Sequence, residues 1–354
     1  MAEQAIPKTM KALVTQANKT AKVEEVPVPE IAEDEVLVKN VAVVLNPMDW
    51  KHIENITNPG TITGCDFSGT VAKVGKNVST VKVGDHVAGF TQGGHWKDVG
   101  AFAEYLRTPA ELVWKVPDST LSHEEAATLG CGFWTAVQAL FHPTCLGLVE
   151  IPEKTSKEEW ILVYGGSTSV GLFAIQLAHL AGYKVVSTAS PKNFELVKSL
   201  GADAVFDYKD PDVVSKIKEV TKDSITKGLE TIGTEQSQSI SLRSFSSAPG
   251  KLVTILSPTN AASVAPHVQL QPTLIYTALG RAFDFVSRQF PVVPEDRAHM
   301  VSFLKKVPQL VKDGAVKPNP VKLWPTPGLE AITEGLQYVK EGKNSGEKVV
   351  HRIA

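Results

Sequence analysis

The feature that most constrains this chain is the run Tyr164-Gly165-Gly166-Ser167-Thr168-Ser169-Val170-Gly171, which joins the apolar stretch Ile161 to Tyr164 to a helical pattern from Val170 to Ala181. A buried strand that turns through glycines into a helix leaves backbone N–H groups free at the helix start, where an anion can approach them closely. Gly165 and Gly166 permit the tight turn, Gly171 lets the helix pack on a sheet, and Ser167, Thr168 and Ser169 add hydroxyl donors. Thr168 stands where the strict G-x-G-x-x-G pattern has its middle glycine, so the prediction of dinucleotide binding rests on the strand–loop–helix context. The alternative is a glycine-rich turn that binds nothing.

The stretches after this turn alternate. Strands are predicted at Lys184 to Thr188, Ala204 to Tyr208, Leu252 to Leu256 and Leu274 to Tyr276, with helices at Asn193 to Leu200 and Asp212 to Thr221. Apolar strands alternating with helices predict a parallel, doubly wound sheet. The first third reads differently. Short Val-rich runs at Lys11 to Thr15, Lys22 to Val28, Glu35 to Val44, Gly69 to Val74 and His86 to Phe90, separated by turn residues, predict a small barrel or compact β fold. Between the two regions, Ser122 with Glu125 three residues on forms a capping-box pattern for a helix running to Phe141, and an exposed loop follows from Pro143 to Glu159. A further helix is expected from about Pro294 to Asp313. At 354 residues the chain suits two domains better than one core, and it shows no internal repeat.

The strand after the first nucleotide-fold helix separates the two nicotinamide dinucleotides. An NAD site carries Asp or Glu there for the ribose 2′-hydroxyl. This strand ends instead in Ser187-Thr188-Ala189-Ser190-Pro191-Lys192-Asn193. Ser190, Lys192 and Asn193 can hold a 2′-phosphate, by charge from Lys192 and hydrogen bonds from the other two, with Tyr208 alongside at the end of the next strand. That predicts NADPH. Against it stands a polar loop in which Asn193 caps the next helix.

Charge excludes other classes. Lys+Arg 36 against Asp+Glu 38 gives a net charge of -2, with no basic excess for nucleic acid or a membrane surface. Apolar stretches fall short of the ~20 residues of a membrane-spanning helix. The N-terminal residues Met1 to Lys8 show no apolar signal segment, and three cysteines, Cys65, Cys131 and Cys145, make no disulfide framework, so a cytoplasmic protein is expected.

Several further motifs carry a resemblance: Asn46-Pro47-Met48-Asp49-Trp50-Lys51, Gly64-Cys65-Asp66-Phe67-Ser68-Gly69-Thr70-Val71, Gly84-Asp85-His86-Val87, Gly100-Ala101-Phe102-Ala103-Glu104-Tyr105, Phe206-Asp207-Tyr208 and Ser345-Gly346-Glu347-Lys348-Val349-Val350. With the phosphate turn they resemble the medium-chain dehydrogenase/reductase superfamily over nearly the whole chain. Within it the chain is similar to the zinc-independent quinone and enoyl reductase branch, and to fungal trans-acting enoyl reductases that serve polyketide synthases. The resemblance implies an α/β architecture of two domains. A GroES-like β-barrel is expected at 1–128 and 286–354, a Rossmann domain at 129–285, and the active site in the cleft.

It further implies reduction of an activated C=C bond (enoyl, enone, enal or quinone) in a small molecule, with a substrate carried by a polyketide synthase as one form. By family position Met48, Asp49, Thr135, Leu256, Ser257 and Lys348 join the phosphate turn and Ser190, Lys192, Asn193 and Tyr208 in binding the cofactor. Lys51 is the catalytic candidate, a cation for the carbonyl oxygen that gains charge. Each has a plainer reading: Lys51 as a solvated lysine, Asp49 as a helix cap, and Thr135 as a mid-helix hydroxyl bonded to its own backbone. Zinc relatives use three ligands at positions matched here by Asn46, Cys65 and Cys131. Asn46 is a poor ligand and a lone buried Cys is usually a small hydrophobe, so no metal is expected. Two other classes remain open: a zinc-dependent alcohol dehydrogenase and an NADPH-binding protein without turnover. Finally, the bulky segment 280–291 is expected to cover a strand edge at Pro272 to Ala278 and to favour a monomer over the sheet-extended dimer.

Overall fold

The computed structural model describes residues 6–55, 58–285 and 288–353. Most of the N-terminal stretch read for a signal, and Val286 and Ser287 of the segment 280–291, lie outside these residues. The chain divides into two compact units, Met1–Cys131 with Tyr276–Ala354, and Gly132–Ile275. It returns to the first unit at Tyr276, not at residue 286. The reason is aromatic packing: the Tyr276 ring stacks on Phe90 at 6.0 Å and meets His52 edge-on at 5.9 Å. Phe283 then packs on Tyr276 and on His95.

In chain order the first unit holds β1 (Thr9–Thr15), β2 (Ala21–Pro27), β3 (Glu35–Val44), α1 (Pro47–Asn55), β4 (Asp66–Val74), β5 (His86–Phe90), β6 (Tyr105–Pro109), β7 (Val113–Lys115) and α2 (His123–Ala127). Next come α3 (Cys131–Phe141), β8 (Trp160–Tyr164), α4 (Ser169–Leu180), β9 (Lys184–Ala189), α5 (Phe194–Ser199), β10 (Ala204–Asp207), α6 (Val213–Thr221), β11 (Lys227–Glu230), α7 (Glu235–Arg243), β12 (Gly250–Thr254) and β13 (Val268–Pro272). The chain closes with β14 (Phe283–Phe285), β15 (Arg288–Phe290), α8 (Pro294–Leu304), α9 (Val307–Lys312), β16 (Val321–Leu323), α10 (Ile332–Lys340) and β17 (Lys348–Arg352).

The main sheet of the first unit runs β16-β17-β3-β4-β5-β7, with β6 also on β3. Its apolar core includes Val36, Val38, Val43, Phe67, Val87, Phe102 and Leu106. Register matters more than length here. Val44 faces Asp66 on one side and Val350 on the other, while Asp66 faces Phe90. The end of β3, the start of β4 and the start of β17 therefore meet at one end of the sheet, bringing Asn46, Asp66 and Lys348 together from far apart in sequence.

The second unit is a parallel sheet in the order β10-β9-β8-β11-β12-β13. Leu162, Val186, Ile217, Ile225 and Leu252 lie in its core. Strand order reverses at β8, where the glycine turn follows.

Four local expectations change. The helix expected from Ser122 to Phe141 is two helices: the Ser122–Glu125 capping box is present, but the chain breaks so that the free N–H at the start of α3, on Cys131, reaches Asp66 Oδ1 at 2.6 Å. The helix expected from Pro294 to Asp313 also breaks, because Pro308 in the first turn of α9 has no N–H to continue the ladder. The strand expected at Leu274 to Tyr276 is a 3-10 turn over Ile275–Leu279, and the sheet edge is β13, earlier than the expected Pro272 to Ala278. Residues 283–285 pair antiparallel with 288–290, and their rings pack within the first unit, Phe283 stacking on Phe290 at 5.0 Å. Among the described residues, no helix is long and apolar enough to cross a membrane.

Candidate functional site

The turn after β8 is held by threonines. Gly165 has φ +82°, a left-handed conformation that glycine adopts without strain, and its N–H donates to Thr188 Oγ1 at 3.0 Å. A Cβ on Gly166 would collide with the Ser187 side chain, and one on Gly171 with the Gly165 carbonyl. Thr168 is the N-cap of α4: its oxygen accepts from Gly171 N at 2.9 Å, and its proton goes to Thr231 Oγ1, also at 2.9 Å. Thr231 in turn donates to the Tyr164 carbonyl at 2.8 Å. Thr168 thus shapes the turn rather than presenting a free hydroxyl. Ser167, Ser169 and Val170 lie at its rim, half-buried.

The neighbouring strands end in parallel, Asp207 opposite Ala189, so Ser190 and Tyr208 emerge side by side. Lys192 is exposed and pairs with no carboxylate among the described residues, and Asn193 is buried. Tyr208, Ile232 and Leu256 are exposed large hydrophobics after β10, β11 and β12, all at the carboxyl edge of the sheet. Apolar side chains left open at that edge suit the rings of a dinucleotide. Leu256 packs over Gly233, and the Ser257 carbonyl accepts from Gln238 Nε2 at 3.1 Å. Sequence reasoning missed Thr231 and Glu230. The buried Glu230 carboxylate takes the N–H groups of Ile232 and Gly233 at 2.7 and 2.8 Å and so fixes the turn after β11. Thr135 lies buried on α3.

The first unit holds a different arrangement, a buried polar cluster. Asn46 Nδ2 donates to Asp66 Oδ2 at 2.9 Å, and the Lys348 ammonium donates to Asn46 Oδ1 and lies 3.8 Å from Asp66 Oδ2. The Lys348 and Asp66 side chains are 5% and 0% exposed, so this is a dry ion pair. Burial pushes Asp66 above its ordinary pKa, against the pull of Lys348, Asn46 and the Cys131 N–H. Asp49 is buried on the first turn of α1. Its Oδ2 accepts the Asn46 N–H at 2.7 Å, the capping role. Burial chiefly, with Asp66 adding to it, lifts Asp49 to about 7. Met48 touches both Cys131, Sδ to Sγ 3.8 Å, and the Tyr276 hydroxyl at 3.2 Å. That hydroxyl also lies 3.0 Å from His52 Nε2. Burial lowers His52 to about 4, so it is neutral. Tyr276 and His52 were both missed, since neither sits in a spaced motif.

Lys51 is half-buried one position along α1, its ammonium 5.5 Å from the Trp50 ring, and it pairs with no carboxylate among the described residues. Lys348, grouped by resemblance with the cofactor residues, is bonded to Asn46 and lies by Asp66 in the first unit.

The donor set does not fit a catalytic zinc. Asn46 has its oxygen on Lys348 and its nitrogen on Asp66. Burial raises the Cys65 thiol well above its ordinary range, whereas zinc takes a thiolate. The Lys348 ammonium already supplies the local positive charge. Among the described residues, no group of three or more His, Cys, Asp or Glu side chains is arranged to hold a metal ion.

Residues 32–118 match the alcohol dehydrogenase GroES-like domain and residues 169–282 the zinc-binding dehydrogenase domain. The chain is 40% identical to a trans-enoyl reductase of Alternaria alternata, over 98% of this chain and 99% of that one. It is 37% identical to a trans-enoyl reductase of Aspergillus niger, over 98% of each. A quinone oxidoreductase from Coxiella burnetii has the same fold, with a TM-score of 0.72 at 23% identity, covering 98% of this chain and 100% of that one.

Proposed function

This chain belongs to the medium-chain dehydrogenase/reductase superfamily, with a GroES-like domain and a Rossmann domain, and on that premise we propose that it is an NADPH-dependent reductase of activated C=C bonds. The family binds a nicotinamide cofactor; the choice of NADPH rests on the free Lys192 beside Ser190, Asn193 and Tyr208, with no acid at the end of β9. When bound, the reduced nicotinamide supplies a hydride to the β-carbon of an α,β-unsaturated carbonyl compound. The turn after β8 receives the pyrophosphate on the first-turn N–H groups of α4, while Leu256 and Ser257 border the cofactor after β12. Thr135, Met48 and Asp49 have cofactor contacts in this reading. Lys51 stabilises the charge gathering on the carbonyl oxygen, and it or a water protonates the α-carbon.

The observation that carries this reading is the Lys348–Asn46–Asp66 cluster, which occupies both ends of Asn46, one of the three positions matched to zinc ligands. Alcohol oxidation by the zinc relatives needs a metal-bound oxygen; reduction of a conjugated C=C bond needs only a donor for an oxygen already polarised. The substrate is a small enoyl compound of fungal secondary metabolism, with a carrier-bound enoyl chain as its fullest form, and the chain acts in the cytoplasm as a monomer. Loss of NADPH absorbance is expected with enals, enones, quinones or enoyl thioesters, undiminished after treatment with a chelator. Loss of activity together with one zinc per chain would restore the alcohol dehydrogenase reading. Light scattering should give a mass near 38.1 kDa, and twice that would show a dimer.

A further inference from the structure

Gln92 follows β5 by two residues and is 1% exposed, yet neither atom of its carboxamide has a partner in the protein. Leaving a buried polar group unpaired costs about 1–3 kcal/mol, so such a group calls for an explanation. Gln92 is unpaired at both ends, whereas Asn40 leaves only its Oδ1 unpaired and Asn46 is bonded at both ends. Asn40 Nδ2 donates to the carbonyls of Ala101 and Ala103, and Asn46 uses both ends on Lys348 and Asp66.

Position supplies the explanation. Just before Gln92, Phe90 stacks on Tyr276 and the Thr91 N–H donates to the Cys65 carbonyl at 2.9 Å. Just after it, Gly93 runs so close to Gly64 that a Cβ would collide, and a Cβ on Gly94 would stand 2.8 Å from His52 Nδ1. The backbone on both sides of Gln92 is thus pinned to the residues that form the wall of the polar cluster.

We propose that Gln92 is a substrate-binding residue whose amide N–H₂ donates to the carbonyl oxygen of the enoyl group. This deepens the reductase reading and rests on it. A neutral donor that is already desolvated holds a carbonyl oxygen without a charge of its own, and it strengthens as that oxygen becomes an enolate. It also gives the site selectivity. A substrate with a carbonyl acceptor pays the unmet hydrogen bond back, and an alkene without one leaves it unmet.

The test uses Gln92→Leu and, because a branched side chain can fail to pack, the unbranched Gln92→Met. The probe is the trans-2-hexenoyl thioester of N-acetylcysteamine, measured by calorimetry in the presence of NADP⁺ and by turnover with NADPH. Roughly tenfold to hundredfold weaker thioester binding and kcat/KM are expected, with NADPH affinity unchanged and a Tm no lower than that of the unsubstituted protein. The Tm arm separates this role from a structural one, since removing an unpaired polar group relieves the fold whereas removing a bonded one weakens it. Equal thioester affinity in variant and parent overturns the inference, as does a lowered Tm with NADPH affinity lost in parallel. A parent protein that binds the thioester but reduces no enoyl compound defeats the reductase reading alone, and the binding arm still decides the role of Gln92.

Discussion

The turn after β8 and the cluster around Asp66 are built on opposite plans. The turn takes one continuous run, 164–171, and braces it with Thr188 and Thr231. Its polar groups are backbone N–H groups and hydroxyls, and Lys192 beside it stays in solvent. The cluster draws Asn46, Asp49, Asp66, Cys131, Tyr276 and Lys348 from separate strands and helices, and its charges are buried. The local turn therefore removes little charge from water. The assembled cluster removes five ionisable groups from water, Asp49, Asp66, Cys131, Tyr276 and Lys348.

If that contrast is right, the largest effect on stability comes from Lys348. Lys348→Met leaves Asp66 buried with its cation gone and should cost about 3–5 kcal/mol in urea unfolding, while adding Asp66→Leu should recover much of it. A loss below about 1 kcal/mol would mean that the pair is hydrated and the contrast false.

Asp49 gives the next effect, with a definite sign. Its folded pKa, about 7, lies above the ordinary 3.8, so the folded state holds the extra proton. Stability from this group is full below about pH 4 and is lost as pH rises toward 7. His52, His86 and His351, each lowered to about 4 by burial, act oppositely, with stability lost as pH falls from 6.5 toward 4. The readout is thus the difference between Asp49→Asn and the parent. It should grow in favour of the variant by on the order of 2–4 kcal/mol between pH 4 and pH 7. A flat difference would place Asp49 in contact with solvent.

Function separates the two sites further. Lys51→Ala should lower kcat by roughly tenfold to hundredfold with cofactor affinity unchanged, whereas wild-type turnover would leave Lys51 a surface lysine over Trp50. The smallest effect belongs to the exposed side. Lys192→Ala should raise KM for NADPH about tenfold and leave NADH alone, and an equal change for both cofactors would remove it from the phosphate site.

How much could be read from sequence follows the same division. The turn, its capping helix and strands such as Glu35–Val44 and His86–Phe90 were legible because their signals are contiguous. β11 was missed: Lys-Gly-Leu-Glu has no periodicity, and its central place comes from Gly228 fitting between Leu162 and Leu252. The break at Thr128 to Gly130 was hidden as well, because its cause is a hydrogen bond to Asp66 on another strand. Asn46 and Lys348 appeared in motifs, but nothing local shows that the Lys348 ammonium donates to the Asn46 carboxamide oxygen. That follows from the antiparallel register of β17 on β3.

The central claim is metal-free reduction of a conjugated C=C bond, and isotope transfer tests it most directly. The chelator-treated protein is given NADPH deuterated at the transferred position of the nicotinamide and a trans-2-enoyl thioester, and the product is examined by mass spectrometry and NMR. The account predicts a saturated thioester carrying one deuterium, on the β-carbon. Deuterium on the carbonyl carbon of an alcohol, seen with an enal and only when zinc is present, would contradict it.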